Sequence, residues 1–252
     1  MTDILALIPA RGGSKGIPRK NIMPIAGKPL ISYSIQQALA SKRITRAIVS
    51  TDDDEIAQVA RQYGAEVPFI RPSEFAQDLS PDIDVFRHTL QWLAEHESYM
   101  PEAVVHLRPP GPMRDVELID RAIDLLLDHP EADAVRSVSL ALQTPYKMWS
   151  IDEKGILNPV MRLEGITDCQ SLPRQQLPQI YWQNGYVDVI RPRAVLEKNS
   201  MWGDTAIPFI IDEPLLEIDY PEDVPVVEAA LKQQADGVPL RSFHSGKDRH
   251  SV

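Results

Sequence analysis

The 252-residue chain is 43% hydrophobic and 25% charged, and 26 Lys and Arg against 36 Asp and Glu leave a formal net charge of −10. That balance fits a globular protein and argues against a general nucleic-acid or anionic-membrane binder, because a phosphate backbone or acidic lipid rewards a basic surface. The single cysteine, Cys169, excludes an internal disulfide and a cysteine-based zinc cluster, no apolar run approaches bilayer-spanning length, and a reducing cytoplasm is the expected compartment.

Residues 4–10, ILALIPA, are a short apolar run ending at a proline and read as a buried parallel strand. After a glycine-rich loop, KPLISYSIQQALAS puts Leu30, Ile31, Ile35, Ala38 and Leu39 at helical spacing, with Pro29 suited to the first turn. RAIVST at 46–51 predicts a second strand. DDDEIAQVARQYG then predicts a helix with acidic residues at its start, Asp52 as its cap and Gly64 as its stop. A third strand is expected at 66–71, a helix at 82–96, a fourth strand at 103–107 and a helix at 115–129. The alternation predicts an α/β fold with a mainly parallel sheet and helices on both faces.

From about residue 134 the rhythm changes. AVRSVSLA, KMWSID and ILNPV are strand-like, with a turn at Glu153, Lys154 and Gly155, and a polar stretch at 161–180 has no strong helical period. YVDVIRP, a helix near 193–198, IPFIID and a helix from about Pro221 to Gln234 restore the alternation. One domain over 1–234 is therefore expected, carrying an insertion at about 140–182, with a polar, mobile tail at 235–252.

The loop IPARGGSKGIPRKN, residues 8–21, holds three glycines and four cations. It lacks the glycine spacing and the Lys-Ser/Thr of a P-loop, and it lacks the Gly-x-Gly-x-x-Gly of a dinucleotide fold. Its place after the first strand is where open parallel sheets bind ligands, and glycine backbone N–H groups flanked by Arg11 and Lys20 suit a phosphate.

The run Ala10, Arg11, Gly12, Gly13, Ser14, Lys15, Gly16, then Lys20 and Asn21, resembles the nucleotide signature of the CMP-N-acylneuraminate synthetases, also called acylneuraminate cytidylyltransferases. IVSTDDDEIA, RPSEFAQD, PRQQLP, NGYVDVI and EIDYPED match further blocks of that family in the same order, from about residue 4 to 232. The resemblance implies a Rossmann-like sheet of nucleotide-diphospho-sugar transferase type, with an inserted dimerisation region and a homodimer. It implies transfer of CMP from CTP to a 2-keto-3-deoxy sugar acid, a sialic-acid-like nonulosonic acid, with release of pyrophosphate. The same nucleotide site acting on another acidic acceptor or a sugar phosphate is the alternative enzyme. A catalytically silent nucleotide-binding protein is the alternative from another class.

By resemblance, Arg11 and Lys20 hold the triphosphate and act in catalysis with Asp219. Ala10, Gly12, Gly13, Ser14, Gly16, Asn21 and Arg71 surround the nucleotide. A Mg²⁺ ion, or another divalent cation, is expected on Glu217 and Asp219, which lie two apart and so share a side of an extended segment. The family usually has Asp at both positions; Asp212 and Asp223 are the reserves. Lys147, Arg174, Gln175, Asn184 and Tyr186 are the expected sugar contacts.

The chain departs from its family at the end of the fourth strand, where Gln-Pro-Thr-Ser-Pro is common and Arg108, Pro109, Pro110, Gly111 and Pro112 stand here. Arginine pairs bidentately with carboxylates, so Arg108 is expected at the acceptor, with internal pairing as its alternative. The six histidines form no metal-ligand pattern, and His106 reads as a core or strand-end residue. Met148, Trp149 and Val160 suit a partner surface, and Met201 and Trp202 suit a sugar pocket or an interface.

Overall fold

A computed structural model describes residues 2–212 and 215–236. The expected tail lies, beyond Asp236, outside the described residues. The order begins with β1 (Ile4–Pro9), a short hairpin of β2 (Pro24–Ile25) and β3 (Lys28–Pro29), α1 (Leu30–Ala40), β4 (Arg46–Ser50), α2 (Asp54–Gln62), α3 (Asp82–Glu97), β5 (Ala103–His106) and α4 (Val116–Leu127). It continues with β6 (Ala134–Leu140), β7 (Trp149–Ile151), β8 (Leu157–Pro159), β9 (Tyr181–Ile190), α5 (Pro192–Leu196), β10 (Ala206–Ile210) and α6 (Asp223–Ala235).

The main sheet has the order β10-β6-β9-β5-β1-β4 and is mainly parallel. β1 runs parallel to both β4 and β5, with Pro9 beside Ser50 and Leu7 beside His106, and β9 is antiparallel to β5. Ile4 to Ile8 are all buried, as a strand covered on both faces requires. Leu5, Leu7 and Val104 of the sheet pack with Phe86, Leu90 and Leu93 of α3 and Ala194 and Val195 of α5 in one core. α1 turns Leu30, Ile31, Ile35 and Ala38 inward, whereas Leu39 is half exposed. This flanked sheet aligns the carboxyl ends of β4, β1 and β5, and so fixes where a ligand crevice can open.

Two local expectations are corrected. The cap of α2 is Asp53, whose carboxylate accepts the Ile56 N–H at 2.9 Å, while Asp52 faces the glycine loop. The stretch at 66–71 is extended but pairs with the sheet only through a parallel bridge from Glu66 to Ile48. Val67, Phe69 and Arg71 still alternate inward, but Pro68 has no N–H to give a ladder and Pro72 closes the segment.

The described residues divide into two compact units, one of residues 2–137, 185–209 and 215–236, and one of 138–184 with 210–212. The second has its own small core of Tyr146, Cys169 and Leu177. Its hairpin of β7 and β8 turns through Gly155 at φ +78°. Trp149, Ile151 and Leu157 of that hairpin, with Met148 and Val160 beside it, are exposed. Among the described residues no helix is long and apolar enough to cross a membrane.

Candidate active site

A cleft of about 700 Å³ opens at the carboxyl ends of β1 and β5, lined by Arg11, Ser14, Lys15, Gly16, Lys20 and Asn21 from the glycine loop and its sequel. Arg71, Asp78, Asp82, His106, Arg108 and Asp219 are among its other polar lining residues. All of these belong to the first unit.

The loop is built by close approach. Ala10 N–H makes the last bond to β4, at Ser50 O (3.0 Å), and the chain then leaves the sheet. Asn21 is buried and its Nδ2 donates to Arg11 O at 2.9 Å, pinning the loop's start to its end. A methyl group on Gly12 would stand 2.8 Å from Asp53 Oδ2, and one on Gly16 would stand 2.5 Å from Asp219 O. Both glycines therefore serve space. Gly13 faces open room, with nothing within 4 Å of such a methyl. The Gly12 N–H is already engaged by Asp52 Oδ1 at 3.0 Å.

Around the loop the cations have distinct fates. Lys20 Nζ donates to Ile218 O at 2.8 Å and meets Asp219 Oδ1 at 3.1 Å, which ties the first and last parts of the site together. Ile17 and Ile218 are buried in a common core with Ile25, Leu30 and Val227, which holds that approach in place. Arg11 donates to Gln77 O at 2.7 Å and lies 3.4 Å from Asp78, which also receives Lys15 at 2.7 Å. Arg71 is buried, and its Nε and Nη2 find no hydrogen-bond partner among the described residues. Asp52 lies 3.8 Å away. Burial lowers the Arg71 pKa, opposed by Asp52 and Asp82. A buried guanidinium without hydrogen bonds, lining a cleft, is suited to a ligand's acceptor atoms.

Glu217 and Asp219 flank buried Ile218 in an irregular segment that bends at Asp219. Burial raises the Glu217 pKa, and the nearby Asp219 charge raises it further, against Arg114, Arg108 and Lys20. A methyl group on Gly185 would lie 3.6 Å from Glu217 Oε1 and 3.7 Å from Arg108 Nη1, so these two side chains flank that glycine. Of the reserves, Asp223 accepts the N–H groups of Asp219 (2.9 Å) and Tyr220 (2.8 Å), and Asp212 belongs to the second unit. Among the described residues no group of three or more His, Cys, Asp or Glu side chains is arranged to hold a metal.

Arg108 lines the cleft and is also paired internally: both terminal nitrogens lie 3.4 Å from Asp188 Oδ2, and Nη2 lies 3.5 Å from Asp82. Asp188 is fully buried on β9. The clasp beneath the prolines is Arg114, which the sequence does not single out. Its guanidinium donates to the carbonyls of Arg108, Gly111 and Tyr186, and burial pushes its pKa down to about 10.

Tyr186 is a core residue rather than a lining one, and its hydroxyl accepts the Asp115 N–H at the start of α4. Lys147, Arg174, Gln175 and Asn184 all lie in the second unit. Lys147 and Gln175 are exposed there, Arg174 donates to Ala141 O at 2.7 Å, and Asn184 is buried with Nδ2 donating to Ser139 Oγ at 2.8 Å. Trp202 is half exposed and Met201 packs on the main core. Asp52, Asp78, Asp82 and Asp188 sit inside the quoted sequence blocks or beside them, but only their spatial neighbours mark them out.

The chain is similar over most of its length to known proteins. CMP-N,N'-diacetyllegionaminic acid synthase of Legionella pneumophila is 32% identical over 91% of this chain and 96% of its own length. N-acylneuraminate cytidylyltransferase of Escherichia coli O18:K1:H7 is 29% identical over 86% of this chain and 49% of its own length. The structure of CMP:2-keto-3-deoxy-manno-octonic acid synthetase complexed with CTP covers 92% of this chain with a TM-score of 0.67 at 16% identity, a likeness of fold. The family model described as cytidylyltransferase matches residues 5–154, the stretch that supplies the glycine loop, Arg71 and Arg108. With the glycine loop and most of the crevice lining carried by the matched region, this chain belongs to the cytidylyltransferase family.

Proposed function

We propose that this protein joins CMP from CTP to a sialic-acid-like nonulosonic acid and releases pyrophosphate. The relatives named for diacetyllegionaminic and N-acylneuraminic acids support the acceptor class. The observation that carries the reading is the meeting of Lys20 with Asp219 against the glycine loop, which sets a cation and a carboxylate side by side next to a loop suited to phosphates. The anomeric hydroxyl of the sugar acid attacks the α-phosphorus, the bond to the β-phosphate oxygen breaks, and the hydroxyl proton leaves to solvent. Such a reaction asks the protein to align the groups and offset charge. Lys20 and Arg11 exchange Asp219 and Gln77 for phosphate oxygens, and Arg71 donates to the nucleotide. Excluding water from the crevice strengthens each of these contacts.

Glu217 and Asp219 would hold Mg²⁺. Burial is the main cause of the raised Glu217 pKa and the Asp219 charge adds to it, a repulsion that a hard cation would relieve, and Mg²⁺ takes few carboxylates when phosphate oxygens complete its shell. Bound Mg²⁺ would neutralise charge on the triphosphate and the departing pyrophosphate. The exposed apolar residues of the β7–β8 hairpin suit a second copy of the chain, so the enzyme works as a homodimer. The use of CTP is compatible with the cytoplasm expected from the sequence.

A second reading, in which a different acidic acceptor is used, is favoured by Arg108 in place of the family's usual glutamine. Pyrophosphate release with CTP and other nucleoside triphosphates, each against diacetyllegionaminate, pseudaminate, N-acetylneuraminate and sugar phosphates, tests both. Release with CTP and none of the keto sugar acids would sink the first reading.

A further inference from the structure

The floor of the cleft on the β5 side holds a pair of groups that the reaction above does not use. His106 is fully buried at the end of β5, edge-on to Phe86 at 4.9 Å. Neither ring nitrogen has a hydrogen-bond partner among the described residues. Burial, reinforced by Arg108, Arg114 and Arg136, holds its pKa well below the ordinary histidine value, so the ring is neutral and one nitrogen carries a proton to donate. A buried imidazole without partners carries a desolvation cost in this state, which a partner gained in another state would offset there.

Asp82, the first residue of α3, lies between this ring and Arg108. Its carboxylate is half exposed, 3.5 Å from Arg108 Nη2 and 4.0 Å from His106 Nε2, both beyond hydrogen-bond length. It is therefore shared between two partners and fully engaged by neither. The far side of Arg108 is fixed by buried Asp188, which Arg136 also approaches at 3.7 Å. Arg71 also feels the Asp82 charge.

We infer that Asp82 and His106 form an acceptor-dependent pair: when the carboxylate of the sugar acid takes the Arg108 guanidinium, Asp82 gives up Arg108 and accepts a hydrogen bond from His106 Nε2. The inference rests on the reading that Arg108 meets the acceptor. A second negative charge brought to Arg108 repels Asp82, and a side-chain rotation of roughly 1 Å closes the distance to a charge-assisted hydrogen bond. His106 then acts through Asp82 as a positioning residue. It receives the carboxylate that would otherwise oppose the acceptor, and nucleotide binding on the Arg11 and Arg71 side proceeds without it.

The test compares His106→Leu, Asp82→Ala, their combination and Arg108→Gln, using pyrophosphate release with whichever of diacetyllegionaminate, pseudaminate and N-acetylneuraminate the enzyme turns over best. His106→Leu is expected to raise the acceptor KM about tenfold with the CTP KM unchanged. In the Asp82→Ala background the same replacement is expected to change the acceptor KM less than about twofold. Unchanged acceptor KM in His106→Leu, equal changes in both KM values, or additive effects in the double variant overturn the inference. In the wild-type protein, adding the acceptor to CMP-saturated enzyme should move the His106 ring nitrogen-15 signals, whereas CMP alone should not. No shift overturns the inference even where His106→Leu fails to fold. If Arg108→Gln leaves the acceptor KM unmoved, the reading of Arg108 fails. If it raises that KM while His106→Leu does not, only the role of the pair fails.

Discussion

Gly16→Ala is the sharpest perturbation of the site, because its consequence follows from one contact. The added methyl would lie 2.5 Å from the Asp219 carbonyl oxygen, where ordinary contact begins at 3.4 Å, and backbone cannot swing aside as a side chain can. Roughly 1 Å of movement between the glycine loop and the 217–219 segment is needed to relieve the overlap. That movement pulls Asp219 from Lys20, now 3.1 Å apart, and displaces both from the triphosphate. Overpacking of this kind destabilises by about 1–3 kcal/mol, and misplacement by about 1 Å reduces turnover on the order of 100-fold. The assay is kcat for pyrophosphate release at saturating CTP and acceptor, read beside the Tm from calorimetry. Gly13→Ala is the stability control, since its methyl meets nothing within 4 Å and should leave the Tm unchanged. A Gly16→Ala enzyme with wild-type Tm and kcat would refute the packing of loop against segment, and with it the placing of Asp219.

Asp219→Asn should abolish turnover while keeping the fold, and Glu217→Asp should retain part of it; wild-type rates in Asp219→Asn at limiting Mg²⁺ would move the metal elsewhere. Asp133 is buried, and although burial alone would raise its pKa, Lys198, Arg193 and the N–H groups of Asp204 and Thr205 outweigh it and hold the carboxyl well below its ordinary value. Its contribution is thus complete above the unfolded pKa and disappears as pH falls through the folded one. Asp133→Asn should lose about 1.5–3 kcal/mol at neutral pH, with a difference in Tm from wild type that narrows in acid; a constant difference at all pH values would refute the charge argument. Trp149→Glu with Ile151→Glu should convert a dimer to a monomer in light scattering, and a wild-type monomer at micromolar concentration would remove the proposed interface.

By itself the sequence determined the alternation of elements, because buried strands and amphipathic helices write their burial directly into residue order. It likewise marked the glycine loop, Lys20 and Asp219, whose residue types and order carry a family resemblance. It could not decide which neighbouring aspartate caps α2, since Asp52 and Asp53 differ only in which way each points once the loop lies against them. Nor could it foresee that 66–71 would be an extended segment with one bridge, because alternation records burial and not ladder bonds. Arg114 rather than Arg108 clasps the prolines, Tyr186 turns into the core, and Asp82 stands between His106 and Arg108. Apart from the short reach of Arg114 back to Arg108, these are pairings between residues far apart in the chain. Ionic and hydrogen-bonding groups choose partners by distance in space, and only the packed sheet with its helices sets those distances.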